Sequence, residues 1–210
     1  MKLRAYISAT IIFGVLIADQ AIKIAVKTSM SLHESIDVFS WFKIFFVENH
    51  GMAFGMDFVG TGILTLFRLV AVGAFTWCLV KCIRQRYPLG FVICLALIIA
   101  GAFGNIIDNC FYGLIFTESI SHDAPAVFTA FGEGYGSFLS GRVVDMFYFP
   151  LWVWPESLPF VGGTTFFGAV FNFADSAISV GAVAMILFYY KRLAEISENN
   201  TEKQEKTDEE

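Results

Sequence analysis

Four long apolar runs divide the chain, at about 5–26, 62–80, 89–107 and 165–190. Each reaches the roughly 20 residues that a helix rising about 1.5 Å per residue needs to cross a bilayer core. The pattern therefore predicts four transmembrane helices. Lys2 and Arg4 precede the first run, Lys81, Arg84 and Arg86 separate the second from the third, and Lys191 and Arg192 follow the fourth. By the positive-inside rule both termini are then cytoplasmic. The first run opens like a secretory signal, yet no small-x-small cleavage site closes it, and Asp19 and Lys23 sit in its last turns. It reads as a retained helix.

The other connections, 27–61 and 108–164, then lie outside the cytoplasm. Both are aromatic: IDVFSWFKIFFV (36–47) has strand-like composition, and FTAFGEGYGSF (128–138) is punctuated by glycine. Each suits the lipid interface. The fold class is an all-α polytopic membrane protein without internal repeats. Composition agrees, since 56% of residues are hydrophobic, 24 are Phe and the mean hydropathy is +0.64, more than a water-soluble fold can hide. Cys78, Cys82, Cys94 and Cys110 show no paired spacing and read as small hydrophobes.

The net charge of −5 belongs entirely to the C-terminal stretch, where seven acids from Glu195 onward meet only Lys203 and Lys206. Acids and bases cancel over the rest. Residues 1–194 thus read as one membrane domain and 195–210 as a disordered acidic cytoplasmic tail, with nothing that points to nucleic acid.

Ionisable residues inside membrane helices are costly and usually face a partner or a cavity. Asp19 and Lys23 lie towards the outer end of the first helix and are i,i+4 neighbours, spaced for a structural ion pair. GNIID (104–108) and FNFAD (171–175) repeat an Asn-x-x-Asp spacing, placing Asn105 with Asp108 and Asn172 with Asp175 at one depth. Asp145 precedes the fourth helix in GRVVDMFYFP (141–150). Two of these carboxylates held together in a poorly solvated site would share a proton, one acting as general base on water and the other as general acid. The competing readings are a cation or proton pathway, in which the same acids would bind and release ions, and a purely structural membrane component. A metal site fits less well, because His33, His50 and His122 lack helical ligand spacing. ENHGMAFGMDF (48–58) supplies Asn49 and a turn through Gly51 and Gly55, and Arg68 inside the second helix needs a partner, with packing glue its plainer role.

Together these segments resemble the bacterial lipoprotein signal peptidases (signal peptidase II, aspartic peptidase family A8). DQAIK (19–23), NHGMAFG (49–55), GNIID, GRVVDMF (141–147) and FNFADSAI (171–178) stand in that family's order. The resemblance implies four membrane helices with a small extracytoplasmic β-rich element and an extended extracytoplasmic loop, working in the bacterial inner membrane near its outer leaflet, as a monomer. It implies cleavage of diacylglyceryl-modified prolipoproteins just before the lipidated cysteine, inhibition by globomycin-type cyclic peptides, and no metal or organic cofactor. Carried over by position, Asp145 and Asp175 would be the catalytic dyad. Asn49, Gly51, Asn105, Asp108 and Asn172 would support it, with Asp19 and Lys23 as a structural pair.

The chain departs from the family at Asn109, where an Arg usually follows the GN-x-x-D aspartate; Arg142, three residues before Asp145, is the expected substitute. Segments 114–140 and 151–163 read as insertions, the first expected to lie over the site.

Overall fold

The computed structural model describes residues 1–49 and 61–208, and at 61, 62, 64 and 193–208 the backbone alone. Its helices are α1 (Lys2–Ser29), α2 (Thr61–Arg84), α3 (Leu89–Ile107), the one-turn α4 (Gly113–Ile115) and α5 (Phe173–Asp208). Four of them carry stretches long and apolar enough to cross a membrane. α3 is central, with 61% of its span buried against 17–22% in the others. Exposed Phe13 and Ile17 on α1, Phe67 and Trp77 on α2, and Ile186 and Phe188 on α5 leave an apolar exterior. Such a surface is stable where lipid tails cover it. The protein is thus a polytopic membrane protein of four spanning helices.

Small residues set how closely these helices pack. A Cβ on Gly101 of α3 would lie 2.2 Å from the Ala174 carbonyl oxygen of α5, and one on Gly104 would lie 2.7 Å from the Asp19 carboxylate of α1. The absence of side chains here lets α5 and α1 converge on one end of α3. At the opposite end α2 turns into α3 through Arg86 (φ 59°), and Pro88 caps α3 without a lost hydrogen bond.

The converging end carries an antiparallel sheet, ordered β1 (Ser35–Phe39), β2 (Phe42–Asn49), β3 (Val143–Tyr148) and β6 (Val170–Phe171). Val47 pairs with Asp145 and Asn49 with Val143, so these side chains share one face. Val144 and Met146 occupy the other and pack with Phe46, Tyr112 and Phe116. Segment 114–140 contributes Ile115, Phe116 and Tyr135 to that apolar cluster, and its backbone pairs internally through Thr117 to Val127 and Thr129 to Ile115. The insertion therefore backs the sheet on the face away from Asp145, a correction to its expected place over the site. The other insertion, 151–163, supplies β4 (Trp152–Val153) and the loop that leads to its hairpin partner β5 (Thr165–Phe166), and the Trp152 and Phe166 rings stack at 3.9 Å.

Two further expectations change. The fourth spanning helix begins at Phe173 rather than near 165, because the aromatic and β-branched residues before it form β5 and β6; apolarity alone does not distinguish these from helix. At its other end α5 kinks at Tyr189 (φ −131°, ψ 16°) and continues as helical backbone to Asp208, where a disordered tail was expected. Extending an existing helix with Glu, Lys and Gln avoids the cost of nucleation.

Close packing at Gly101 generates a test: Gly101→Ala should cost about 1–3 kcal/mol and lower the melting temperature in detergent. Gly14→Ala, with nothing within 4 Å, should not lower it.

Candidate active site

The sheet end of the bundle is organised around one ammonium group. Lys23, fully buried on α1, has three donors and meets three acceptors: Asp19 Oδ2 at 3.0 Å, Asp108 Oδ2 at 2.8 Å and Asn105 Oδ1 at 2.8 Å. Each carboxylate is engaged further. Asp19 Oδ1 accepts the Ala174 amide at 2.9 Å, and Asp108 Oδ2 the Val144 amide at 3.3 Å. Gln20 donates to Asp108 Oδ1 at 2.9 Å and accepts from the Tyr112 hydroxyl at 3.2 Å. One cation thereby secures the backbone residue preceding Asp175 and the one preceding Asp145.

Asn105 and Asp108 stand where α3 gives way to a π-helical turn, Asp108–Tyr112. Because Lys23 faces the Asn105 oxygen, the Asn105 amide nitrogen is turned to Asp175, donating to Oδ1 at 2.8 Å. Asn172 precedes the first residue of α5 and acts as its N-cap. Its Oδ1 accepts the Asp175 amide at 2.8 Å, while the Asp175 carboxylate receives the Asn172 amide at 3.4 Å, the reciprocal arrangement of a capping box. The second Asn-x-x-Asp spacing is thus a helix start, not a shared helical face. The Asn172 side-chain nitrogen donates to Asp145 Oδ1 at 2.7 Å and to Asn105 Oδ1 at 3.1 Å.

Asp145 enters from β3, 4% exposed, with Asn49 and Asn172 as hydrogen-bond donors. Burial pushes its carboxyl up to about 7, and the neighbouring Asp175 charge adds to this; the two asparagines and Lys23 oppose the rise. Its proton is therefore retained near neutrality. The structure brings together Asp19, Lys23, Asn49, Asn105, Asp108, Asp145, Asn172 and Asp175. Gly51 lies outside the described residues.

Arg142 goes elsewhere. Its guanidinium meets Glu118 at 3.0 Å and Glu48 at 3.4 Å and lies over the Tyr135 ring. Glu48 also pairs with buried Lys27, which Ser119 joins at 2.8 Å. This cluster holds segment 114–140 to the back of the sheet. The Arg142 guanidinium thus does not bond Asn109; that of Arg68 of α2 does, donating to Asn109 Oδ1 at 2.8 Å. Gln20, Lys27 and Glu48 were not singled out from sequence. Gln20 lies inside the DQAIK motif, and Lys27 continues the Asp19–Lys23 helical face by one more turn, a periodicity that marks it.

Comparison with known proteins gives a consistent result. The sequence profile of signal peptidase (SPase) II matches residues 11–191. A lipoprotein signal peptidase of Porphyromonas gingivalis is 50% identical over 86% of this chain and 81% of its own length. One from Amoebophilus asiaticus is 33% identical over 81% and 72%. A solved bacterial membrane enzyme superposes with a TM-score of 0.58 at 22% identity, covering 90% of each chain, a likeness of fold.

Two outcomes follow from the charges. Lys23→Met strands two buried carboxylates and should cost about 3–5 kcal/mol, read as a fall in the detergent melting temperature. For Asp145, the folded carboxyl is raised from the usual 3.8 to about 7, so folded protein holds a proton that unfolded chain lacks between those values. Stability should fall as pH rises through that window. Asp145→Asn removes the penalty, so its melting temperature relative to wild type should climb from pH 4.5 to pH 8; a constant difference would contradict the assignment.

Proposed function

The chain belongs to the signal peptidase II family, and we propose that it removes signal peptides from diacylglyceryl-modified prolipoproteins, with Asp145 and Asp175 activating the water. It is a peptidase of the membrane, and its four spanning helices together with its bacterial relatives fit a multi-pass inner-membrane protein. The observation that carries the finer reading is a pair of carboxylates from two unrelated elements, β3 and α5, linked through the paired amides of Asn172 and Asn105. Such a pair with one proton supplies an acid and a base at the same pH.

In this reading Asp175 takes a proton from water as the water oxygen attacks the scissile carbonyl carbon, and Asp145 gives its proton to the carbonyl oxygen. The tetrahedral diol then collapses. Asp145 recovers a proton from a diol hydroxyl, Asp175 passes its own to the departing nitrogen, and the C–N bond breaks. Asn49, Asn105 and Asn172 hold the carboxylates in place throughout, and Asp108 and Asp19 act through the backbone, by way of Lys23.

The substrate's apolar signal helix and acyl chains reach the bundle through lipid, where the exposed apolar faces of α1, α2 and α5 lie. The basic flanks of the helices support cytoplasmic termini and a sheet that faces outward, putting the dyad near the outer leaflet with cleavage just before the lipidated cysteine. A globomycin-type cyclic peptide would occupy the same place.

Purified protein in detergent is expected to cut a synthetic diacylglyceryl prolipoprotein immediately before the modified cysteine, with Asp145→Asn and Asp175→Asn each lowering the rate by at least about a thousandfold. Full-rate cleavage by either variant would move the chemistry to another acid.

A further inference from the structure

Lys27 stands one turn beyond Lys23 on α1 and is as deeply buried, but its partners are those behind the sheet. Its ammonium pairs with Glu48 and donates to Ser119 Oγ at 2.8 Å, and Ser119 in turn donates to Glu48 Oε1 at 2.8 Å. Glu48 Oε2 faces the Arg142 guanidinium at 3.4 Å, and the Tyr135 hydroxyl accepts the Arg142 amide at 2.7 Å. The Lys27 ammonium and the Arg142 guanidinium each lie 5.1 Å from the centre of the Tyr135 ring. None of these groups takes part in the proton transfers proposed for the dyad.

The place of Glu48 in β2 shows what the pair does. The register of β2 against β3 slips between Ile44 and Val47, so the rungs before that irregularity do not fix those after it, Val47–Asp145, Glu48–Val144 and Asn49–Val143. Two lysines of one helix hold the middle rung. Lys23 meets Asp108 at 2.8 Å, and that carboxylate accepts the Val144 amide at 3.3 Å; Lys27 takes the Glu48 side chain. Asn49, whose side chain lies on the face opposite Glu48, then donates to Asp145. A slip of one residue would exchange the faces of Glu48 and Asn49, leaving a carboxylate where the amide donor stood.

We propose that Lys27 and Glu48 are positioning residues of the reaction, a buried pair that fixes the last rungs of β2 against β3 and so holds Asn49 on Asp145. Ser119 brings the 114–140 segment into the same device. This rests on the dyad reading above. A buried ion pair adds little net stability over apolar side chains of similar volume, and its best-attested use is to specify register. Loss of the pair therefore acts on the chemical step more than on folding or substrate binding.

The test measures kcat and KM on a synthetic diacylglyceryl prolipoprotein, well below each melting temperature in detergent. It compares wild type, Asn49→Ala, the paired variant Lys27→Met with Glu48→Met, and the triple variant that joins them. The paired variant strands no buried charge. It is expected to lower kcat about tenfold with KM within about twofold of wild type. Asn49→Ala is expected to lower kcat by at least about tenfold, and the triple variant to fall no more than about twofold below it, because the pair then has no amide left to hold. A wild-type kcat in the paired variant overturns the proposal, as do losses that multiply in the triple variant, the result for a pair that only supports the fold. Should the paired variant not accumulate, Ser119→Ala removes the hydroxyl shared by Lys27 and Glu48. It is expected to lower kcat about threefold with KM unchanged, and a wild-type kcat there overturns the proposal as well. Asp145→Asn and Asp175→Asn are assayed alongside. Full activity in either removes the dyad itself, whereas inactive dyad variants with a wild-type kcat in the paired variant remove the Lys27–Glu48 device alone.

Discussion

The ion cluster at Lys23 is the constraint on which the site depends. A buried ammonium is costly unless every donor is met and its charge is balanced. Here two carboxylates and an amide oxygen do both, and the carboxylates spend their remaining lone pairs on the backbone amides of Ala174 and Val144. These are the residues immediately before Asp175 and Asp145. Local electrostatics on one helix is thus converted into the relative placement of a second helix and a strand. The same ammonium orients Asn105, so that its nitrogen and not its oxygen faces Asp175.

The ends of regular elements do the rest. Asp175 is held at the third position of α5 by a reciprocal cap with Asn172, a contact local in sequence, to which Asn105 adds a hydrogen bond from α3. Asp145 comes from a strand, where the pleat directs alternate side chains to opposite faces. That alternation separates two functions. Asp145 faces the polar cluster, while Val144 and Met146 face the apolar support formed with Phe46, Tyr112 and Phe116. The extra segment 114–140 stiffens the strand from behind and is tied there by Lys27, Glu48, Ser119 and Arg142. A larger loop therefore adds support without closing over the carboxylates.

Close approach of the helices is a condition for all of this. Gly101 and Gly104 leave room for the start of α5 and the carboxylate of Asp19 beside α3, and Gly141 lets the chain run against the π turn before entering β3. Polar groups brought together at such distances are worth more to stability, and more exposed to error, than the same groups in water.

Several features were decided by the sequence alone. Four apolar runs of membrane length and their basic flanks determine four membrane helices, because hydrophobic length and charge asymmetry are local properties read by the bilayer residue by residue, and the in-order motifs carry the resemblance that makes the chain a peptidase. The motifs also single out Asp19, Lys23, Asn105, Asp108, Asp145, Asn172 and Asp175. What they do not contain is distance in space. Whether FNFAD is a helical face or a helix cap, where α5 starts, which side of the sheet the 114–140 segment covers, and that Arg68 and not Arg142 reaches Asn109 each depend on contacts between residues far apart in the chain. Those contacts were settled by packing against α3 and by the need of each buried charge for a partner. Neither has a signature within any single stretch of sequence.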